Sequence, residues 1–487
     1  MGSAECGDEV SDSENNSALP TPHSALGTLP TPHSALVISY YFPPAGGPGV
    51  QRVLKHVKFL REFGYEPVVI AAAPEDYCGP SELRMPIDES IAANVPERIE
   101  VHRVQSRQFF RLFALLRKWR LDYLRELVFV PDTAVTWIRP VVKCAREIAA
   151  KRQIDVIYTS VKPHSVAFAG WLLKRALRKP WVLDFRDPWT QYFLATFPTR
   201  LHFWLEQRLE RFLLRRADHI ITITPTARAN LLAWCDFLPP EKVSCITNGY
   251  DEEDFDAQTM SLPGTNGSFS LLYAGVFCGA PAPRNPSKGS LVERVWRGLR
   301  NSLTFTPRNF DRLTHSPKFL LDALSELFNE RPDLRGRIKL IHVGPFDEAH
   351  GRYAGELGIA DAFETQGYVA HGEAVQLASR ADALFFCLAD SPLGERNDCV
   401  PQKVYEYLGS RRPVLALAPE GDARDFLRRA GTAVVCNPRD LSAIKAGLVT
   451  LIEHSAQLRP DDEFIGSFRR RNQTAKLAGI FDRLTAK

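Results

Sequence analysis

Residues 38–53 read ISYYFPPAGGPGVQRV: an apolar run, two prolines, then Gly46, Gly47 and Gly49 ahead of a helical pattern. Glycines there let the backbone approach a ligand, and the helix that follows points its N-terminal N–H groups and positive dipole end the same way. Such a site suits an anion, although a tight turn with no ligand fits the same letters. The spacing is not G-x-G-x-x-G, and no G-x-x-x-x-G-K-[ST] occurs, so neither the dinucleotide fingerprint nor the P-loop applies. WVLDFRDPWT (181–190) ends a strand-like run with Asp184, Arg186 and Asp187. Charges at a strand's carboxyl end face the crevice of an open α/β sheet, and an Asp/Arg pair bracing a loop is the plainer alternative.

His164, in TSVKPHSVAF, follows another strand end and is the one histidine whose position puts it in a crevice; a packed or solvated imidazole is the alternative. Asp398 and Glu406 stand eight residues apart with Pro401 between, about two turns and near one face if both lie on one helix. Acids at a helix start in an α/β domain are placed to hold sugar hydroxyls, and a capped helix with a solvated face is the other reading. RQFFRLFALLRKWRLDYLREL (107–127) carries six basic and two acidic side chains among Phe, Leu, Trp and Tyr. That composition suits a helix in an anionic membrane interface, or an ordinary helix with its apolar face buried in the protein.

The elements that must position these residues alternate. LVISYY (36–41), PVVIAA (67–72), DVIYTS (155–160), WVLDF (181–185) and HIITIT (219–224) are short apolar strands with helices between, the first helix running over 50–64 to Gly64. After NGYDEEDF (248–255) and a polar stretch the alternation restarts with LLYAGVF, IKLIHVG (338–344), DALFFCL (382–388) and PVLALA (413–418). Nearly all-apolar strands separated by helices describe parallel sheets covered on both faces, so two doubly wound α/β domains in tandem are expected. The expected bounds are a first domain over 35–250, a linker over 251–268, a second domain over 269–465, and a C-terminal helix over 466–487 that can cross back to the first. Residues 279–315, with seven basic and two acidic side chains, interrupt the second domain directly after a strand, at a loop that faces the site.

Residues 1–34 stand apart: acidic and Ser-rich, then LPTPHSAL twice, at 19–26 and 29–36. Pro and small polar residues bury no core, so a disordered tail is expected, with His23 and His33 as solvated imidazoles. Composition narrows the rest. With 45% hydrophobic and 24% charged residues the chain can build sizeable cores, and a net charge of +4 is too mild to imply nucleic-acid binding. Nine cysteines show no C-x-x-C pair and no Cys/His cluster, which argues against zinc and a disulfide framework and fits a reducing cytoplasm. No apolar run reaches the roughly eighteen residues of a bilayer span, and the acidic start is unlike a signal peptide, so export is not expected.

Taken in order, SYYFPPAGGPGVQRVLKHVKFLREFGYEPVVI, IYTSVKPHSVAFAGWLLKR, PWVLDFRDPW, ITNGYDEEDF, LLYAGVF, GYVAHGEAV and VPQKVYEYLGSRRPVLAL resemble the family-4 glycosyltransferases of GT-B architecture, bacterial polysaccharide-assembly type, over about 36–487. The resemblance implies two Rossmann-like domains facing across a cleft, a nucleotide-sugar donor held by the second and a glycan or lipid-linked acceptor by the first. The nucleotide-sugar is a substrate, and no cofactor or metal is implied. Position by position it implies that Glu406 holds the donor ribose and that Asp398 stands where the family often has Glu. His164 matches a catalytic-region histidine, Gly46, Gly47 and Gly49 match the loop near diphosphate and acceptor, Gly367 falls among the donor-binding positions, and Arg186 and Asp187 line the cleft. The family's basic pair that neutralises the diphosphate falls at the insertion, leaving Lys318, Arg312 and Lys403 as candidates. The implied activity is a retaining, metal-independent hexosyltransferase of cell-surface polysaccharide assembly, cytoplasmic and peripheral on the inner membrane face. The alternatives are a nucleotide-sugar epimerase on the same architecture and a non-catalytic binding protein.

Overall fold

The computed structural model describes residues 33–486 apart from 79–83, 107–121, 193–194, 256–267, 280–301, 309 and 393. The tail up to residue 32 and most of the basic 107–127 stretch therefore lie outside the described residues, as does the centre of the insertion. Two wholly parallel sheets carry the fold. The first has seven strands in the order β3-β2-β1-β4-β5-β6-β7: β1 His33–Ser39, β2 Tyr65–Ala72, β3 Glu100–Val104, β4 Val156–Val161, β5 Trp181–Phe185, β6 His219–Thr222 and β7 Val243–Cys245. The second has six in the order β10-β9-β8-β11-β12-β13: β8 Phe269–Ala274, β9 Ile338–Val343, β10 Phe363–Gly367, β11 Ala383–Cys387, β12 Val414–Leu417 and β13 Ala433–Cys436. Both orders reverse at the first strand of the domain, which opens a crevice at the carboxyl ends of β1/β4 and β8/β11.

The central strands are buried along their whole length because helices cover both faces. The expected tail boundary needs one correction. β1 starts at His33, because His33 and Ser34 pair with Tyr65 and Glu66 of β2, and Ser34 N–H donates to Asp155 at 2.8 Å. His33 stacks on Tyr65 with ring centroids 5.6 Å apart, a strand residue whose imidazole stays exposed to solvent as expected.

The first helix, Pro48–Leu60, starts on Pro at its first position, with Gly47 as N-cap at φ 107°, a region closed to most side chains. Val50, Val53, Leu54, Val57 and Leu60 are fully buried, as the helical spacing predicts. Gln51, Arg52, Lys55 and His56 on the opposite face are buried too, so this helix has no solvent side at its N-terminal half. Its polar face is covered by the residues that lead into the second domain and by the C-terminal helix Arg470–Thr485, whose Leu477, Ala478, Ile480 and Phe481 lie in the core of the first sheet. His56 Nδ1 meets Thr474 Oγ1 at 3.0 Å, and Tyr65 O–H donates to Asp482 at 2.8 Å.

Arg52 is the centre of this polar layer. Its Nε and Nη2 donate to the two oxygens of Asp184 at 2.9 and 3.0 Å, and its Nη1 donates to the Thr247 carbonyl at 2.9 Å. Tyr158 O–H donates to the same carboxylate at 2.5 Å. Burial opposes both charges, but Arg52 outweighs it and holds Asp184 below the usual carboxylate range. Removing one partner of such a pair costs about 3–5 kcal/mol, because the other charge is left buried and uncompensated. Asp184→Asn is accordingly expected to lower the unfolding free energy by about 3–5 kcal/mol in denaturant titration. A loss below about 1 kcal/mol would contradict the arrangement.

Candidate functional site

Around the crevice, each loop is held from below. Gly49 lies flush against Arg186: a Cβ on Gly49 would fall 1.8 Å from Arg186 Nη1. Arg186 Nε donates to the Val161 carbonyl at the end of β4 at 2.6 Å, so the glycine loop, β4 and β5 meet on one guanidinium. Gly46 N–H donates to the Pro86 carbonyl at 2.8 Å. Two of the glycines are therefore filled by contacts within their own domain.

His164 is the N-cap residue of the helix Ser165–Leu177 and stacks on Trp189 with centroids 4.5 Å apart and planes 6° from parallel. Its Nε2 is buried with no hydrogen-bond partner among the described residues. Burial, then the nearby Lys162 and Arg186, hold its pKa well below the ordinary histidine value, so the ring is neutral. Lys162 packs its ammonium 3.6 Å from the Tyr192 ring centroid, with Asp187 3.7 Å away. Trp189 is in turn set by two buried acids of the helix Arg200–Arg216: its Nε1 donates to Glu206 at 2.6 Å, and its backbone N–H donates to Glu210 at 3.3 Å.

On the second domain, the helix Gln402–Ser410 begins after Pro401, so Asp398 lies outside it, and the two acids do not share a helix face. Loop geometry explains this: Pro401 is extended, and Asn397 bonds the carbonyl of Ala389 and the N–H of Cys399, which holds 397–401 as a loop. The Asp398 carboxylate accepts from Asn230 of the first domain at 3.3 Å, with Arg308 at 3.8 Å, and burial raises its pKa. It is engaged in a contact between domains. Glu406 sits within the helix, 3.9 Å from His371 Nε2.

Of the three cations proposed for a diphosphate, Lys318 is bound to Asp322 at 2.6 Å within its own helix, and Arg312 is exposed with its backbone against Gly279. Lys403 differs. Its ammonium stands 3.8 Å from the Tyr273 ring centroid, beside Gly275, whose φ of +135° and missing side chain leave it room. Among the described residues no carboxylate lies within ion-pair distance, and burial holds its pKa down to about 8. Gly367 ends β10 at φ +72°, its carbonyl accepting from Gly344 N–H at 2.7 Å, with open space around it.

Residues the sequence did not single out complete the site. Gly249 carbonyl accepts from Gln402 Nε2 at 2.8 Å, tying the NGYD segment to the start of the Glu406 helix. Lys55 pairs with Asp251. Arg470, first residue of the C-terminal helix, is buried where Asp251, Glu406 and Asp254 all act on its charge. Burial is the largest influence on Arg470 and lowers its pKa. The signal for these was faint, because polar letters on an amphipathic helix or at a helix start read as solvent-facing. The insertion's described end crosses between domains. Phe305 exchanges two 2.8 Å backbone hydrogen bonds with Phe197, and Arg308 donates to the Gln191 carbonyl at 2.9 Å and to Glu395 at 2.6 Å. A separate groove of about 1000 Å³ runs between the helices Pro225–Trp234 and Asp422–Arg429 and includes none of Lys403, Glu406 or His164.

Comparison with known proteins agrees with this architecture. Residues 46–249 match the model of the glycosyl transferase 4-like domain. No curated protein sequence matches the chain at a significant level. Among solved structures, a glycosyltransferase from Rickettsia africae ESF-5 is similar at a TM-score of 0.57 and 13% identity, covering 93% of this chain and 98% of that one. The lipopolysaccharide outer core galactosyltransferase WaaB in its apo form is similar at 0.52 and 13%, covering 93% and 100%. A UDP-N-acetylglucosamine 2-epimerase described as putative, from Listeria monocytogenes, is similar at 0.50 and 12%, covering 93% and 97%. At these identities the likeness is one of fold: two Rossmann-like domains of GT-B type.

Six histidines, 56, 164, 219, 315, 342 and 350, have pKa values lowered first by burial. A lowered folded pKa stabilises fully above the unfolded value near 6.5, and that stability is lost as pH falls. Glu206 and Glu210, pushed up to about 7 by burial, act in the opposite sense between about 4.5 and 7 but are outnumbered. The urea midpoint is therefore expected to fall between pH 7 and pH 5, and an unchanged or rising midpoint would contradict the neutral, buried state of these rings.

Proposed function

We propose, from the premise that this chain carries a glycosyl transferase 4-like domain over residues 46–249 within a GT-B fold, that it transfers a hexose from a nucleotide diphosphate-sugar to a glycan or lipid-linked acceptor. The reading includes retention of configuration at the sugar and no metal requirement, which the resemblance to the family implies, and a place in cell-surface polysaccharide assembly at the inner membrane face. The observation that carries it is Lys403: a cation beside a side-chain-free backbone at Gly275, with no carboxylate in ion-pair distance among the described residues. A diphosphate supplies the missing charge. Binding it raises the lysine's pKa from about 8 and fixes the ammonium in its charged form.

Glycosyl transfer passes through an oxocarbenium-like state while negative charge grows on the departing diphosphate. Lys403 and the first N–H groups of the helix Gln402–Ser410 are suited to stabilise that charge without reorganising. Glu406, on the same helix, suits the ribose hydroxyls, with the Arg470 guanidinium near enough to feel its charge. On the facing domain, the neutral His164 offers an unpaired ring nitrogen to a sugar hydroxyl, held in place by its stack on Trp189. Asp398 has a weaker claim to touch sugar, since Asn230 and Arg308 already engage its Oδ2.

Thermal-shift screening of UDP-, GDP- and ADP-sugars tests the reading, since a ligand at a hundred times its Kd adds about 2.7 kcal/mol of apparent stability. One of them is expected to stabilise the protein, and Lys403→Met is expected to weaken its binding by about 10- to 150-fold, the worth of a charge-assisted hydrogen bond. Glu406→Ala is expected to abolish transfer to acceptor. Full activity in both variants would sink the site assignment, and conversion of the nucleotide-sugar with no acceptor present would replace transfer with epimerisation.

A further inference from the structure

The helix Arg200–Arg216 turns both of its acids inward: Glu206 and Glu210 are buried on Trp189 and Thr190. Its outer face is left to apolar and cationic side chains. Leu201, Trp204 and Leu205 are 68, 49 and 37% exposed, at a spacing that puts them with Arg208 on one stripe. Two other segments bring apolar residues to the same end of this helix. Val128, 73% exposed, ends the helix Asp122–Val128, which is fastened here by Tyr123 O–H to the Pro198 carbonyl at 2.6 Å and by His202 Nε2 to the Leu127 carbonyl at 3.2 Å. Leu303, 45% exposed, belongs to the insertion next to Phe305, which packs on Phe203 with centroids 4.8 Å apart. Five of the eight exposed large hydrophobic residues among those described thus lie on this helix or on segments fastened to its start.

The arginines around them are stacked on rings. Arg208 lies 4.1 Å from the Trp204 ring centroid, Arg216 3.6 Å from Phe212 and Arg215 4.1 Å from Phe237. Trp204, Phe212, Arg208, Arg211, Arg215 and Arg216 wall a groove of about 570 Å³ along the helix. Among the described residues one acid touches it: Asp236, 3.2 Å from Arg211.

We propose that this face docks the protein on an anionic lipid bilayer, with Leu201, Trp204, Leu205, Val128 and Leu303 entering the acyl boundary and the groove arginines holding lipid phosphates. Charge complementarity selects the occupant, because a surface stripped of outward carboxylates on its helix and mixing guanidinium with Trp and Leu matches an anionic interface. Guanidinium groups stacked over rings keep their charge at headgroup level while their stems cover apolar surface. The face is built from described residues. It also has a path to the crevice, since Glu206 on its inner side sets Trp189, on which His164 stacks. It does not rest on the transferase reading.

Flotation of the full chain with vesicles of phosphatidylcholine, alone or with phosphatidylglycerol, tests this. The protein is expected to float with the anionic vesicles, less as salt rises, and not with phosphatidylcholine alone. The triple variant Leu201→Ser, Trp204→Ser, Leu205→Ser is expected to bind at least about tenfold more weakly. Arg208→Gln with Arg215→Gln is expected to lose about 30-fold, roughly fivefold per arginine. Thermal midpoint and nucleotide-sugar affinity are expected to stay unchanged in both variants, so failure here and failure of the donor site are separable. No flotation on anionic vesicles at low salt, or undiminished binding of the triple variant, would overturn the proposal. So would a dimer in light scattering that the same three substitutions dissolve, since a second copy would then own the face.

Discussion

One buried guanidinium governs how the two halves of the molecule meet. Arg52 projects from the helix that follows the glycine loop, grips Asp184 at the end of β5 with two hydrogen bonds, and holds the Thr247 carbonyl where the chain leaves the first domain. A charge this deep is tolerated only because every direction around it is satisfied. The result is that the glycine loop, the strand end bearing Arg186 and the NGYD segment cannot move independently. Gly249 then passes the constraint to Gln402, at the start of the helix that carries Lys403 and Glu406.

Two further connections close the frame. The C-terminal helix returns from the second domain to lie in the first domain's core, and brings Arg470 to its start beneath Glu406 and Asp251. On the other side, the described end of the insertion pairs Phe305 with Phe197 and plants Arg308 between Gln191, Glu395 and Asp398. The crevice is thus bounded on one side by the Arg52 and Gln402 contacts and on the other by the strap of Phe305 and Arg308, and Asp398 belongs to the strap. That explains why an acid expected beside the sugar has its Oδ2 turned to Asn230 and Arg308.

Much of the fold was legible because central parallel strands are apolar throughout, and nine such runs stand out in the text. The strands that escaped notice, β3, β7, β10 and β13, are the four sheet edges. EVHRV and FETQG are half-exposed and mixed in polarity, so nothing separates them from loop by pattern alone. The crevice position of His164 and the glycine loop could be argued from strand ends. Arg52, Lys55 and Arg470 could not, because amphipathic periodicity assigns polar letters to solvent, and here two domains and a returning helix cover that face. The choice of Lys403 over Lys318 needed coordinates as well, since only they reveal that Asp322 occupies one lysine and that Gly275 makes room for the other.

The central claim is that a nucleoside diphosphate lies across Lys403 and Glu406, facing His164. A crystal structure of the protein soaked with the diphosphate that stabilises it most would test this directly. The account predicts density for the two phosphates within hydrogen-bond reach of Lys403 Nζ and for the ribose at Glu406. Density in the groove between Trp234 and Phe426 instead, with Lys403 left uncontacted, would contradict it.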